Sequence, residues 1–269
     1  MRGRLVLRTR GDGCANPLDD SQMVTYMRLL HCFLVSLCCF LPTDQVVADE
    51  VADLIALLQS DKPKVRYDAA RSLKELGAKA KPAIKPLVAA LSDPGAPPMV
   101  PAILYRGPYV AAMASDALVR IGRPAVPALI EALSHKDNST RRLAAETLGK
   151  LGPLAKDSFA ALTKALNDPE YGVRLEVVLA IGRVGVDPKV VVPILERTFR
   201  RSEKDTFVRG ATLEALHDAD PHGTMVIPIL VEGLQDPDGN IMAAAAQTLG
   251  KFGAKARSAV AKLSSSKFG

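Results

Sequence analysis

The chain has 269 residues, 48% of them hydrophobic, with no tryptophan, 4% aromatic residues and a net charge of +6. The basic residues are interspersed with acids, which argues against the clustered positive footprint of a nucleic-acid binder. With four histidines and four cysteines, three of those cysteines inside one short apolar run, the composition also argues against a disulfide framework.

Residues 1–22 match no later part of the chain and carry Arg, Gly and Asp without apolar periodicity, as expected of an unstructured segment or of sequence upstream of an unused start codon. Residues 23–48 read as an export signal beginning at Met23 or Met27. Arg28 supplies the positive end, Leu29–Leu41 the apolar core, and Pro42–Ala48 a polar exit with small residues before the cut. An apolar run of this length falls short of the roughly 20 residues that span a bilayer. Cleavage and export to the periplasm or outside the cell is expected, with an uncleaved membrane anchor as the alternative, and no membrane span in the mature chain. Cys32, Cys38 and Cys39 lie in this leader and Cys14 precedes it, so the mature chain has no thiol to mispair in an oxidising compartment.

From Asp49 onward one unit recurs. Val65, Val110, Thr140, Val173, Val208 and Ile241 anchor six copies at intervals of 45, 30, 33, 35 and 33 residues, the period of a helical solenoid apart from one stretched copy. Four residues on stand Ala69, Ala114, Ala144, Val177, Thr212 and Ala245; eight on stand Leu73, Leu118, Leu148, Ile181, Leu216 and Leu249. These offsets share one face of a helix. Twelve residues on comes Gly77, Gly122, Gly152, Gly185 or Gly253, fitting a C-terminal cap with positive φ, whereas Asp220 breaks the column and predicts a looser helix end. Each copy also predicts a preceding helix, with columns headed by Leu54 and Leu58 and a first-turn proline at Pro127, Pro193 and Pro228. The copies are 49–79, 80–124, 125–154, 155–188, 189–222 and 223–256, and residues 257–269 form a half-repeat cap or a dimerising end. Such short helices are marginal alone and persist by stacking on the next pair.

Copy two is stretched by SDPGAPPMVPAILYRGPY, residues 92–109, whose prolines and glycines predict a loop. It carries two readings, a functional loop and a flap packed over the solenoid. Its Tyr105 and Tyr109 are candidate partner-binding residues.

The segments VPALIEAL…RRLAAETLGKLG and IPILVEGLQDPDGNIMAAAAQTLGKFG resemble the HEAT repeat, in the short variety first described in phycobilisome lyase subunits. The resemblance covers Asp49 to about Ala256. It implies an all-α fold, an α-solenoid of six antiparallel helix pairs wound as a right-handed superhelix, in which the second helices line a concave surface. It also implies a scaffold for proteins more than any particular chemistry.

Within that frame, six residues on from each anchor lie Arg71, Asp116, Glu146, Leu179, Glu214 and Gln247, turned away from the buried stripe. They are chemically varied, as a protein- or peptide-binding groove would be, or as an idle solvated face would be. Arg66, Arg141, Arg174 and Arg209 each follow an anchor, and Asp61, Asp137, Asp168 and Asp236 recur in the turns before. These predict an arginine ladder bonding the acids and carbonyls of neighbouring turns, with the acids capping the second helices. Arg120, Lys150, Arg183 and Lys251 complement helix C-termini. The run HDADPH (His217, Asp218, Asp220, His222) offers imidazole and carboxylate ligands, but it falls at the break in the glycine column, where an irregular polar turn accounts for it. The His-Glu motifs of HEAT-like deoxyhypusine hydroxylases do not occur. The sequence therefore predicts a monomeric, non-catalytic protein- or peptide-binding scaffold in an exported compartment, with no cofactor, no metal and no nucleic-acid partner. The alternatives are a lyase-like chaperone or modifying enzyme, and nucleic-acid binding by a basic face.

Overall fold

A computed structural model describes residues 43–95, 109–201 and 205–257. The expected leader up to residue 42, most of the 92–109 insertion including Tyr105 and the side chain of Tyr109, and residues 258–269 lie outside the described residues. The chain divides between Val46 and Val47, and the repeats belong to the second unit.

Twelve α-helices and no strand occur among the described residues. They are α1 (Thr43–Leu57), α2 (Pro63–Leu76), α3 (Ile84–Ala89), α4 (Tyr109–Ile121), α5 (Val126–Ala132), α6 (Asn138–Leu151), α7 (Phe159–Ala165), α8 (Tyr171–Arg183), α9 (Pro188–Arg201), α10 (Thr206–Ala219), α11 (Val226–Gly233) and α12 (Gly239–Lys251). The six anchor residues and the columns four and eight positions on are all buried. The even-numbered helices, the second of each pair, pack one on the next from α2 to α12. From copy two to copy six, the first helix of each pair lies against its own second helix. The result is an α-solenoid with one continuous core running from Val51 to Ala256. The core is built of Leu, Val, Ile and Ala, with Phe199 and Phe252 as its aromatic members. Residues of that size let neighbouring helices approach closely: a Cβ at Gly149 would stand 3.1 Å from the Cα of Ala180, and one at Gly182 would stand 2.5 Å from the carbonyl oxygen of Ala215.

The glycine column behaves as its position requires, with Gly77, Gly122, Gly152, Gly185 and Gly253 all at positive φ. The exception is not loose, contrary to the sequence-based expectation. Asp220 is buried and accepts from the Met225 N–H at 2.8 Å, and the positive φ passes to Gly223, three residues later. One further expectation is corrected. Short 3-10 turns (Gly77–Ala83, Arg123–Ala125, Gly152–Ser158) lead into α3, α5 and α7. In copy five a full α-turn replaces that lead-in, so Pro193 sits inside α9 and not in its first turn. Helix α1 starts at Thr43, inside the stretch read as a polar exit.

Candidate partner-binding face

The arginine ladder forms at the turn edge of the stack. Arg141 donates through Nε and Nη2 to both carboxylate oxygens of Asp168, at 2.7 and 2.9 Å, and through Nη1 to the carbonyls of His135 and Lys136. Arg66 makes the same fork to Asp93 and donates to Ser60 O at 2.7 Å, whereas Arg209 forks onto Asp236 through Nη1 and Nη2 and donates through Nε to Phe199 O. In each case the acid belongs to the following copy, 27 residues on. Each guanidinium thus ties the end of its own first helix, or the turn after it, to the turn that follows the first helix of the next copy. Burial pushes the Asp93 and Asp168 carboxyls up, but the arginine, an N–H two residues on and the local positive field outweigh it and hold both below the usual carboxylate range. At Asp236 the Arg209 hydrogen bond leads and lowers the carboxyl in the same way. Arg66 and Arg141 are correspondingly raised by the hydrogen bonds to their acids.

The capping half of the expectation is corrected. Asp137 caps α6 through Thr140 N at 2.7 Å, whereas Asp168 and Asp236 accept from the N–H two residues on, inside Asp-Pro turns. They stand too early in the turn to reach the first N–H groups of the helix. The caps of α10 and α12 come from Asp205 and Asp238.

On the solvent side of the second helices, the predicted groove residues are paired with one another and with neighbouring copies. Arg71 meets Glu75 in the same helix at 3.3 Å. Asp116 bonds Lys74 of the copy before at 2.8 Å and faces Lys150 of the copy after at 3.6 Å. Glu146 receives Lys150 at 2.9 Å and Arg142 at 3.4 Å, and Arg142 reaches on to Glu176 at 3.8 Å. Glu214 faces Arg183, which also holds Asp218 at 2.9 Å. Gln247 is exposed at the far end on α12. From α2 to α8 the surface is therefore a ribbon of alternating charge that stitches copy to copy. Burial raises the Glu176 carboxyl, and Glu146 beside it adds to the effect.

The HDADPH run keeps one internal contact, His217 Nδ1 to Asp218 Oδ1 at 3.3 Å, and otherwise sends its groups to different partners. His217 stands edge-on to Phe252, Asp218 serves Arg183, Asp220 holds the turn, and the backbone carbonyl of His222 accepts from Lys255. No group of three His, Cys, Asp or Glu placed for a metal occurs among the described residues.

Of the apolar part of this face, sequence reasoning placed Leu179 alone. Tyr171, Leu175 and Leu179 are spaced four apart on α8, and Phe207 and Ala211 are spaced likewise on α10. Such spacing puts each set in one row. Tyr171 is 59% exposed and Phe207 71% exposed, and their rings lie 6.4 Å apart, centroid to centroid, across the two copies. Leu175 and Leu179 are half-buried. The available signal was an aromatic residue one or two positions ahead of the anchor in copies four and five.

Models of known families match three stretches: "HEAT repeats" over residues 97–156, "HEAT repeat" over 226–256 and "PBS lyase HEAT-like repeat" over 65–93. The chain is a HEAT repeat protein. Among solved structures, it is similar to the complex of CpcE and CpcF of phycocyanin lyase from Nostoc sp. PCC7120, at 26% identity and TM-score 0.46, covering 80% of this chain and 78% of that one. It is similar to a designed armadillo repeat protein in complex with the peptide (KR)4, at 15% identity and TM-score 0.43, covering 74% and 98%. It is also similar to human deoxyhypusine hydroxylase in complex with glycerol, at 17% identity and TM-score 0.40, covering 86% and 98%. No curated protein sequence matches this HEAT repeat protein.

Proposed function

We propose that this HEAT repeat protein is a non-catalytic scaffold, working in an exported compartment, that holds an amphipathic protein segment against the second-helix face over α8 and α10. The observation that supports the reading is the exposed Tyr171–Phe207 pair, continued by Leu175, Leu179 and Ala211. Large aromatic side chains left in water are unfavourable for an isolated surface, and they are what interface hot spots are made of. The neighbouring ion pairs, Glu214 with Arg183 and Glu146 with Arg142, form a polar rim around this strip. The compartment rests on the expected export signal at residues 23–48.

The experiment is capture from the exported fraction with wild-type protein and with the Tyr171→Ala/Phe207→Ala double variant, followed by crosslinking of whatever the wild type retains. A retained protein whose crosslinks map to α8 and α10, and whose affinity drops by roughly thirtyfold or more in the variant, supports the reading. Capture that is indifferent to both aromatics defeats it. Glu146→Lys and Glu214→Lys report separately on the rim. Binding that survives a rise in salt sets a protein partner apart from a phosphate-dominated, nucleic-acid mode.

A further inference from the structure

The ladder at the turn edge has one odd rung. Arg66, Arg141 and Arg209 each find an aspartate 27 residues on, but 27 residues on from Arg174 stands Arg201. Arg174 turns instead to Asp205, bonding one oxygen through Nη2 at 2.6 Å, while the other oxygen of Asp205 accepts from Val208 N at the head of α10. This rung is also more open to solvent than the other three.

The substitution sits in a groove of about 560 Å³ between the first helices of copies four and five. Ile194, Arg197, Thr198 and Arg201, on one face of α9, form one wall, and Thr163, Leu166 and Asn167 form the other. Arg174 and Asp168 line it too, but both oxygens of Asp168 are held by Arg141. Arg197 and Arg201 are spaced four apart, an arrangement in which like charges repel along a helix. Neither has an acidic partner among the described residues. The equivalent groove between copies one and two, of about 440 Å³, makes an internal comparison. There Pro86, Ala89, Ala90 and Asp93 occupy the four α9 positions, and Asp93 closes the rung onto Arg66. The first groove sets Arg66 against Asp61 and Asp93, whereas the second has an arginine in place of the rung carboxylate and sets Arg174, Arg197 and Arg201 against Asp168, which Arg141 already holds.

We propose that this groove binds an organic phosphate monoester, whose dianion takes the place of the missing internal carboxylate. Arg197 and Arg201 supply planar N–H forks of the kind that match phosphate oxygens. Arg174 adds a third positive group whose own bonds fix its position. The half-buried Leu166 and Ile194 offer the organic part an apolar floor, and the volume suits a small ligand. The site lies on first helices and turns, so it stands or falls independently of the proposed protein-binding strip.

The test uses the full chain with phenyl phosphate, inorganic phosphate and benzoate as probes, followed by calorimetry and by NMR of the Ile194 and Leu166 methyl groups. Saturable binding of phenyl phosphate, tighter than inorganic phosphate and tighter than the monoanion benzoate, with shifts at those methyls, is expected. Arg197→Gln should weaken it roughly tenfold. Arg201→Asp restores a carboxylate 27 residues after Arg174. This variant should melt at or above the wild-type temperature and lose phenyl phosphate binding altogether, which separates a lost site from a lost fold. Unchanged binding in Arg201→Asp, no saturation in the wild type, or equal affinity for all three probes would overturn the proposal.

Discussion

Asp168 keeps its charge against burial because three partners offset the desolvation, led by the Arg141 fork. Removing one member of a buried ion pair leaves the other uncompensated. Asp168→Asn should therefore lower the unfolding free energy at neutral pH by about 3 kcal/mol, read by chemical denaturation. The pH dependence has a definite sign. The carboxyls of Asp93, Asp168 and Asp236 are depressed in the folded chain, so their stabilisation is present above the unfolded value near ~3.9 and is lost as pH falls through the folded values. The thermal midpoint should decline below about pH 4, and the gap between wild type and Asp168→Asn should close over the same window. A gap that stays constant into acid would mean the Asp168 charge contributes nothing. At this scale the sequence showed the arginines and acids of the ladder but assigned the acids the wrong task. Position decides: Asp137 stands three residues before its anchor and reaches a helix N–H, while Asp168 stands five before and cannot.

Between helices, spacing is set by the smallest side chains. Gly182 on α8 lies so close to the backbone of Ala215 on α10 that any Cβ must push the two helices apart. Gly182→Ala should gain roughly 1 kcal/mol of helix propensity and lose about 1–3 kcal/mol to overpacking, a net destabilisation. Gly250 on α12 faces open space within 4 Å, so Gly250→Ala should stabilise by about 0.5 kcal/mol. Paired melting curves check both signs, and the contrast tests close approach against generic glycine effects. The helices themselves were legible, because a buried stripe at offsets of four and eight has no other physical meaning when it recurs six times. The strip of Tyr171, Leu175 and Phe207 was not legible. Outward-facing residues answer to a partner and not to the stack, so they need not repeat from copy to copy. Pro193 misled for a related reason, since the column fixed its place in the unit while the helix around it began a turn earlier.

Across the whole stack the joints are unequal. Between copies two and three no arginine rung forms, since Ala111 follows the anchor of copy two and His135 occupies the acid column. There α4 packs on α6 less extensively than α2 does on α4 or α6 on α8. The joint is held by the buried hydroxyl pair Ser115–Thr147 at 2.8 Å and by Lys150 reaching Asp116 at 3.6 Å. In a stack where each copy touches its neighbours alone, the weakest joint opens first. Amide hydrogen exchange should therefore be faster in α4 and along the facing side of α6 than in α8. Uniform protection from α4 to α8 would contradict that ranking. The regular rungs carry a different consequence. A clamp that counts 27 residues forward takes no account of which copies it joins, so an excision that brings an arginine and an aspartate to that spacing makes a new rung. Excision of residues 175–209 would bring Asp236 into register with Arg174, at the spacing that Arg201 now spoils. At that joint a single genetic accident can trim the chain and yield a protein closer to electrostatic peace with itself than the one it came from.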